Sequence, residues 1–150
     1  TGPTGLSAQA ALIGDVLMMA QPEYGSSYAS LREMLFASAD QPDALVMFPD
    51  GKGEIEDEVR RYQMLRLSSR IGFKPPYFYN HSLRNRLHRI ASPSLIVWGE
   101  KDGMVPRAHG AAYAAGISGA KFTIVQGAGH SAQVEKPEET AQLVLEFLST

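Results

Sequence analysis

Two short apolar runs in the last third of the chain, at 95–99 and 122–125, constrain the fold more than any other feature. Both runs are rich in β-branched and aromatic residues, and a glycine closes or closely follows each of them. Continuous apolar runs of this length are typical of strands that are covered on both faces, as in a parallel sheet. The segment 107–115 between them has a helical pattern that ends at Gly116. This order of strand, helix and strand predicts an α/β fold with two parallel core strands.

One acidic and one basic side chain follow these two strands. Asp102 comes shortly after the first strand, and His130 comes shortly after the second. Because a parallel sheet collects functional groups at the carboxyl ends of its strands, these two side chains could meet in space. A buried carboxylate fixes the tautomer of a histidine and stabilises its protonated form, which is what a nucleophile–His–acid relay needs. We therefore take Asp102 as the candidate catalytic acid and His130 as the candidate catalytic base.

Simpler interpretations exist for the neighbouring residues. Asp102 alone could be an ordinary turn residue, because aspartate is common in turns. Glu100 follows the same strand and is an alternative acid, although we expect it to be a solvated loop residue. Trp98 is expected to pack in the core. No metal site is expected, because the other histidines have no partners at metal-ligand spacing; these are His81, His88 and His109.

The segment 6–90 shows helical patterns and no alternation typical of strands. We expect helices at about 8–20, 28–39 and 54–70, a short segment at 44–48 and an aromatic loop at 73–79. Pro137 is expected at the first position of a last helix. Its apolar residues should face inward; they are Leu143, Val144, Phe147 and Leu148.

Composition excludes several classes of function. The chain contains no cysteine, which excludes disulfides, thiolate metal sites and cysteine nucleophiles and agrees with a cytoplasmic location. The formal net charge of −2 implies no basic face for nucleic acid or acidic membranes. No apolar run approaches the roughly 20 residues that a membrane span needs. We therefore expect neither a nucleic acid nor a membrane as a partner.

The segments 98–106 (WGEKDGMVP) and 127–130 (GAGH), with EKPE at 135–138, closely resemble the acid and histidine segments of the α/β-hydrolase fold family. The chain order in that family is nucleophile, acid, histidine. The resemblance implies that Asp102 and His130 belong to a nucleophile–His–Asp triad that uses no cofactor. It implies hydrolysis of an ester, or of a related carbon–carbon or amide bond. It also implies that 1–90 form a helical lid and that 91–150 form the C-terminal part of the hydrolase core.

The nucleophile elbow of that family, G-x-S-x-G, is absent from this chain. Neither 116–119 nor 129–131 fits the motif. The resemblance therefore places the nucleophile and the oxyanion hole upstream of Thr1, and we expect the 150 residues alone to be inactive. Because two strands need neighbours to form a stable sheet, we also expect this chain to associate with a missing N-terminal half of the core or with itself.

Two alternatives remain open at this point. Some proteins with this architecture are ligand-binding or interaction scaffolds without catalysis, although the presence of both Asp102 and His130 argues against that interpretation. Dehalogenase and epoxide hydrolase relatives instead carry an aspartate at the position of the nucleophile. The identity of the nucleophile, serine or aspartate, decides between these two kinds of chemistry.

Candidate substrate contacts lie beside the two candidate catalytic groups and in the lid. Met104 and Val105 follow the acid, and Ser131 follows the histidine. Tyr77 lies in the aromatic loop, where it could contact substrate or pack the lid against the core. A lid that excludes water and shapes an apolar pocket favours a small apolar substrate.

Overall fold

Residues 28–72, 80 and 82–149 are described by a computed structural model of the chain. Within these residues, helices come first and a β–α–β unit follows. The elements before the sheet are α1 (Ala29–Leu35), α2 (Pro42–Met47), α3 (Ile55–Gly72) and the 3₁₀ helix Arg84–Arg89. The later elements are β1 (Leu95–Gly99), α4 (Arg107–Gly116), β2 (Lys121–Val125), α5 (Ala132–Glu135) and α6 (Pro137–Leu148). No helix in this part of the chain is long and apolar enough to cross a membrane.

The two strands lie side by side and run parallel, which confirms the α/β prediction. Their register runs from the pair of Leu95 and Lys121 to the pair of Gly99 and Val125. The intervening helix α4 begins at the predicted residue and ends one residue later than predicted. The carboxyl ends of both strands therefore open on the same edge of the sheet, which is where functional groups of parallel sheets collect.

A buried cluster joins α4 to one face of β1. Trp98 is almost fully buried, which confirms that it packs in the core, and its indole Nε1–H donates to the carbonyl oxygen of Val105 at 3.2 Å. At Gly110, α4 approaches so closely that a Cβ atom would lie 2.6 Å from Cε3 of Trp98. A larger residue at Gly110 would therefore overpack this core. The cluster consists of Leu87, Ile96, Trp98, Val105 and Ile117.

The helix predicted for 28–39 is shorter in the structure, because α1 ends at Leu35. Phe36 leaves the helix with an extended backbone (φ −127°, ψ 156°) and buries its ring edge-on against Phe48, with the ring centroids 6.3 Å apart. The backbone then passes directly over Gly129, where a Cβ atom would lie 2.6 Å from the amide nitrogen of Ala37. Tertiary packing on the turn around Gly129 thus replaces the last turn that the local pattern predicts.

Of the other segments predicted in the first half of the chain, two form helices and two lie outside the described residues. The segments predicted at 44–48 and 54–70 correspond to α2 and α3, whose ends differ from the prediction by one or two residues. The predicted helix at 8–20 and the aromatic loop at 73–79 lie outside the described residues. The division into a lid at 1–90 and a core at 91–150 stays a prediction.

The prediction that all four apolar residues of the last helix face inward is wrong for two of them. Leu143 packs against the cluster around Val125, and Phe147 is half-buried. Val144 is 40% exposed and Leu148 is 74% exposed. The apolar stripe of α6 is wider than the face that the sheet covers, so its outer edge faces solvent in the described part of the chain.

A buried arginine links α1 to the loop after α2. Nη1 of Arg32 donates to the carbonyl oxygen of Phe48 at 2.7 Å and to Oδ1 of Asp50 at 2.9 Å. Asp50 also accepts the backbone N–H of Tyr28 at 2.8 Å. Removal of one partner from a buried ion pair leaves an uncompensated charge, which is strongly destabilising.

We expect Asp50→Ala to lower the free energy of unfolding by about 2 kcal/mol, a value reduced from the fully buried case because the Asp50 side chain is half-exposed. Urea denaturation measures this change. The exposed Asp40 offers the control, since Asp40→Ala should change stability by less than about 0.5 kcal/mol. Equal effects of the two substitutions would show that the Arg32–Asp50 contact contributes nothing specific.

The carboxylate of Asp57 closes the loop before α3 and gives this loop a pH dependence. Its Oδ2 accepts the backbone N–H of Lys52 at 2.6 Å and that of Glu54 at 3.0 Å. The hydrogen bond from Glu54, followed by those from Lys52 and Gly53 and the charge of Arg60, holds the pKa of Asp57 below its usual value of 3.8. Because the pKa of Asp57 is lower in the folded state than in the unfolded state, its ionised carboxylate stabilises the folded loop at pH values above the unfolded-state pKa. This stabilisation is lost as the pH falls through the folded-state pKa.

We therefore expect the backbone amide resonance of Lys52 to follow the titration of the Asp57 carboxyl group, with a midpoint below the usual value of 3.8. Nuclear magnetic resonance (NMR) measures the midpoint directly. The substitution Asp57→Asn removes the titrating group and should abolish the response. A Lys52 amide that does not respond to pH would contradict the hydrogen bond.

Candidate active site

The loop after β1 holds the side chain of Asp102 in a fixed and nearly solvent-free position. Its Oδ1 accepts the backbone N–H of Met104 at 2.9 Å and that of Val105 at 2.8 Å. The Asp102 side chain is only 2% exposed. These local bonds are those of a turn aspartate, but α4 begins only at Arg107, so Asp102 does not cap that helix. The turn contacts leave the carboxylate free to bind one further donor.

That donor is the imidazole of His130, in the turn after β2. Its Nδ1 lies 3.0 Å from Oδ2 and 3.1 Å from Oδ1 of Asp102. The His130 side chain is 14% exposed, so it is partly accessible while its partner is not. When Nδ1 carries the proton that is donated to the carboxylate, the lone pair of the neutral ring lies on Nε2. The arrangement can therefore accept a proton at Nε2 and stabilise the resulting imidazolium.

Direct backbone contact between the two strand ends brings this pair together. The amide of Lys101 donates to the carbonyl oxygen of Ala128 at 2.8 Å. A Cβ atom at Gly99 would collide with the carbonyl oxygen of Gly129, so this approach requires glycine at the end of β1. Gly127 has a φ of 67°, a left-handed conformation that suits glycine and starts the turn toward the histidine.

Glu100 connects the loop after β1 to the turn after β2 through a hydrogen bond. It is exposed, as predicted for a loop residue, and its Oε2 accepts the backbone N–H of Gly127 at 2.9 Å. Its carboxylate thus binds the beginning of the histidine turn, whereas the carboxylate of Asp102 binds the imidazole itself. The structure therefore places Asp102, and not Glu100, in contact with His130.

Sequence reasoning missed a third acidic residue at this edge, Glu135, which has as many hydrogen-bond partners as Asp102. Its Oε2 accepts the backbone N–H of Gly129 at 2.6 Å. Its Oε1 accepts the backbone N–H of Ala37 at 2.7 Å and Nε2 of Gln41 at 2.9 Å. Glu135 belongs to the EKPE segment that carries the family resemblance, but nothing in the local pattern indicated partners almost a hundred residues earlier in the chain.

The segment 33–37, which we call the crossing segment, lies over both candidate catalytic loops. The amide of Ser131 donates to the carbonyl oxygen of Leu35 at 3.0 Å. On the side of the acid, a Cβ atom at Gly103 would lie 3.1 Å from the carbonyl oxygen of Glu33. The residues that precede α2 in the chain thus contact the loops of Asp102 and His130 directly.

The residues expected to contact substrate have different surroundings. Met104 is half-buried and packs against the core cluster of Trp98. Val105 is 1% exposed and belongs to that cluster, so its side chain packs in the core and its backbone N–H faces Asp102. Ser131 is half-buried and immediately precedes α5. Tyr77 lies outside the described residues.

A mainly apolar cavity of about 410 Å³ lies between α2 and α3. Phe48 lines it and also contacts Phe36 of the crossing segment. Other lining residues are Tyr28, Val46, Met47, Pro49, Arg60 and Leu67. In the described ranges, no three His, Asp or Glu side chains come together in a way that could hold a metal ion.

A parallel β–α–β unit whose strand ends carry an aspartate and a histidine in this chain order is typical of the α/β-hydrolase class. The family model described as the alpha/beta hydrolase fold matches residues 14–137. The chain therefore belongs to the α/β-hydrolase fold family, which confirms the resemblance in the sequence.

Curated relatives include hydrolases with different substrates. Monoacylglycerol lipase abhd6-A of Xenopus laevis is 29% identical over 133 residues, which cover 71% of this chain and 38% of the relative. A 2-hydroxy-6-oxononadienedioate/2-hydroxy-6-oxononatrienedioate hydrolase of Klebsiella pneumoniae is 45% identical over 64 residues, or 43% of this chain and 22% of the relative. This chain thus spans less than half the length of these curated relatives.

Solved structures show the same fold. The 2-hydroxy-6-oxo-6-phenylhexa-2,4-dienoate hydrolase of Rhodococcus sp. strain RHA1 superposes with a TM-score of 0.67 at 16% identity, covering 99% of this chain and 52% of that one. A bromoperoxidase of Bacillus anthracis gives a TM-score of 0.66 at 16% identity, covering 99% of this chain and 55% of that one. At this level of identity the likeness establishes the fold alone.

Proposed function

We propose that this chain supplies the acid and the histidine of a nucleophile–His–Asp relay in a hydrolase. The observation that carries the proposal is the contact of 3.0 Å between Nδ1 of His130 and the nearly solvent-free carboxylate of Asp102. A buried, hydrogen-bonded carboxylate orients the imidazole and stabilises its protonated form. Backbone N–H groups hold Asp102 itself in place, so the pair is preorganised before substrate arrives.

In the proposed mechanism, Nε2 of His130 removes the proton from a nucleophile as the nucleophile attacks the substrate carbonyl. Asp102 stays ionised and stabilises the imidazolium that forms. His130 then returns the proton to the leaving group, and a second cycle with water releases the product. The nucleophile lies outside these 150 residues in our proposal, because the chain contains no G-x-S-x-G motif.

We propose a substrate with an ester bond, or a related carbon–carbon or amide bond, in a partly apolar small molecule. The names of the relatives support this range, since one acts as a monoacylglycerol lipase and another hydrolyses a dienedioate. The largely apolar lining of the cavity between α2 and α3 is compatible with an apolar group. A closed lid would also remove water from the reacting groups.

The test uses the full-length protein and a series of p-nitrophenyl esters. We expect measurable turnover in the wild type and its loss in His130→Ala, while His88→Ala, which changes an exposed histidine away from the pair, keeps full activity. An active His130→Ala variant would overturn the proposed relay. If neither the esters nor carbon–carbon substrates are hydrolysed but a small molecule binds, the protein is a ligand-binding scaffold.

A further inference from the structure

The carboxyl group of Glu135 accepts hydrogen bonds from two separate parts of the chain. Three N–H donors face its two oxygens, those of Gly129, Ala37 and Gln41, at 2.6 to 2.9 Å. Hydrogen bonds to an ionised acceptor are shorter and about twice as strong as those between neutral groups. Glu135 is half-buried, so its partners are better shielded from water than those of an exposed glutamate.

The three bonds hold the histidine turn against the crossing segment. Oε2 fixes the amide of Gly129, the residue directly before His130. The amide of Ser131, directly after His130, is fixed by the carbonyl oxygen of Leu35. Oε1 binds Ala37 at the end of the same crossing segment. The backbone on both sides of His130 is therefore held against the crossing segment. On the N-terminal side this contact is made through the side chain of Glu135.

We propose that Glu135 is a positioning residue for His130, which locks the histidine turn to the crossing segment and so keeps the imidazole aligned with its reaction partner. This inference rests on the proposed function of His130. Glu135 touches neither Asp102 nor the imidazole in the described contacts, so it acts through the backbone of Gly129. A misplacement of about 1 Å in a catalytic group can lower a rate by about 100-fold.

The decisive variant is Glu135→Gln. An amide has one acceptor oxygen and one donor NH₂ group, so in either orientation the NH₂ group faces at least one of the three N–H donors. We expect kcat in the full-length protein to fall between about 10-fold and 100-fold with KM changed by less than about 3-fold. The assay is run at a temperature where circular dichroism shows the variant fully folded, so that an unfolded fraction does not imitate the effect.

Two further variants assign the effect to the histidine turn. Glu139→Gln changes an exposed glutamate in the first turn of α6 and should leave kcat unchanged. Gln41→Leu removes one donor on the side of the crossing segment but keeps the bond to Gly129, so its fall in kcat should be smaller than that of Glu135→Gln. Equal losses in Gln41→Leu and Glu135→Gln would overturn the proposal.

The imidazole resonances of His130 give a readout that does not depend on turnover. NMR should show shifted or broadened ring signals of His130 in Glu135→Gln and unchanged signals in Glu139→Gln. Unchanged His130 signals in Glu135→Gln would overturn the positioning role, even if His130→Ala abolishes activity. Shifted signals together with a fully active His130→Ala variant would refute the proposed function and still show that Glu135 positions His130.

Discussion

Asp102→Asn should lower kcat of the full-length protein by about 10⁴-fold without unfolding it, a loss typical of a relay with the wrong histidine tautomer. The two backbone N–H groups of Met104 and Val105 require an acceptor at the position of Oδ1. The amide oxygen of an asparagine would take that position, and its NH₂ group would then face Nδ1 of His130. This NH₂ group would act as a donor, so the imidazole would have to present a lone pair at Nδ1 and a proton at Nε2. A ring in that state cannot accept a proton from a nucleophile at Nε2.

The matched control is Glu100→Gln, in the same loop. Glu100 is exposed, and a glutamine oxygen can still accept the N–H of Gly127, so kcat should stay within about 3-fold of the wild type. Steady-state kinetics on an ester substrate measures both variants. If Asp102→Asn keeps more than about one tenth of the wild-type kcat, Asp102 is not the acid of the relay. A large loss in Glu100→Gln alone would transfer that role to Glu100.

The sequence predicts the contact between the two strand ends because short-range patterns determine it. Each strand contains a short run of mainly apolar residues, and a helical pattern separates the two, so the parallel β–α–β unit follows from local periodicity. The carboxyl ends of such strands share one edge, which places the residues after them near each other. The distance of 3.0 Å between Asp102 and His130 agrees with this expectation.

The contacts of the crossing segment could not be predicted, because they join residues far apart in the chain. Phe36 fits the apolar stripe of a continuing helix, yet it takes an extended backbone because Gly129 receives the chain there. Gly129 itself looks like an ordinary turn glycine. Its φ angle is not positive, so the backbone conformation does not require glycine. Glycine is required there because the backbone of Phe36 and Ala37 occupies the space of a Cβ atom. The three bonds of Glu135 depend on the same long-range packing.

The directions of the side chains beside the candidate catalytic pair do not follow from the sequence, for a different reason. A residue that follows a catalytic loop residue can face the substrate or the core, and sequence distance does not distinguish these directions. Val105 packs behind Asp102 because the loop turns sharply at the two N–H bonds that Asp102 accepts. On α6, hydrophobic periodicity predicts which side chains share a face, but the width of the covering surface decides whether Val144 is buried.

Gly99→Ala should destabilise the protein by about 3 kcal/mol and displace the histidine turn. An added Cβ would collide with the carbonyl of Gly129 and would lie 2.6 Å from the carbonyl oxygen of Ala128. The peptide group between Ala128 and Gly129 cannot move freely, since its carbonyl oxygen accepts the amide of Lys101 and its N–H is held by Glu135. The strain therefore spreads into both strand ends, and kcat should fall along with stability because Asp102 and His130 separate.

Gly103→Ala is the control for Gly99→Ala, because it adds the same methyl group to a nearby glycine where the steric contact is milder. Its Cβ would lie 3.1 Å from the nearest atom, the carbonyl oxygen of Glu33, so a shift of a few tenths of an ångström relieves the contact. We expect a loss below about 1 kcal/mol there, measured like that of Gly99→Ala by urea denaturation. If both substitutions destabilise equally, backbone contact between β1 and the histidine turn is not what brings the candidate catalytic pair together. If Gly99→Ala alone is strongly destabilising, that contact sets the distance between the acid and the histidine.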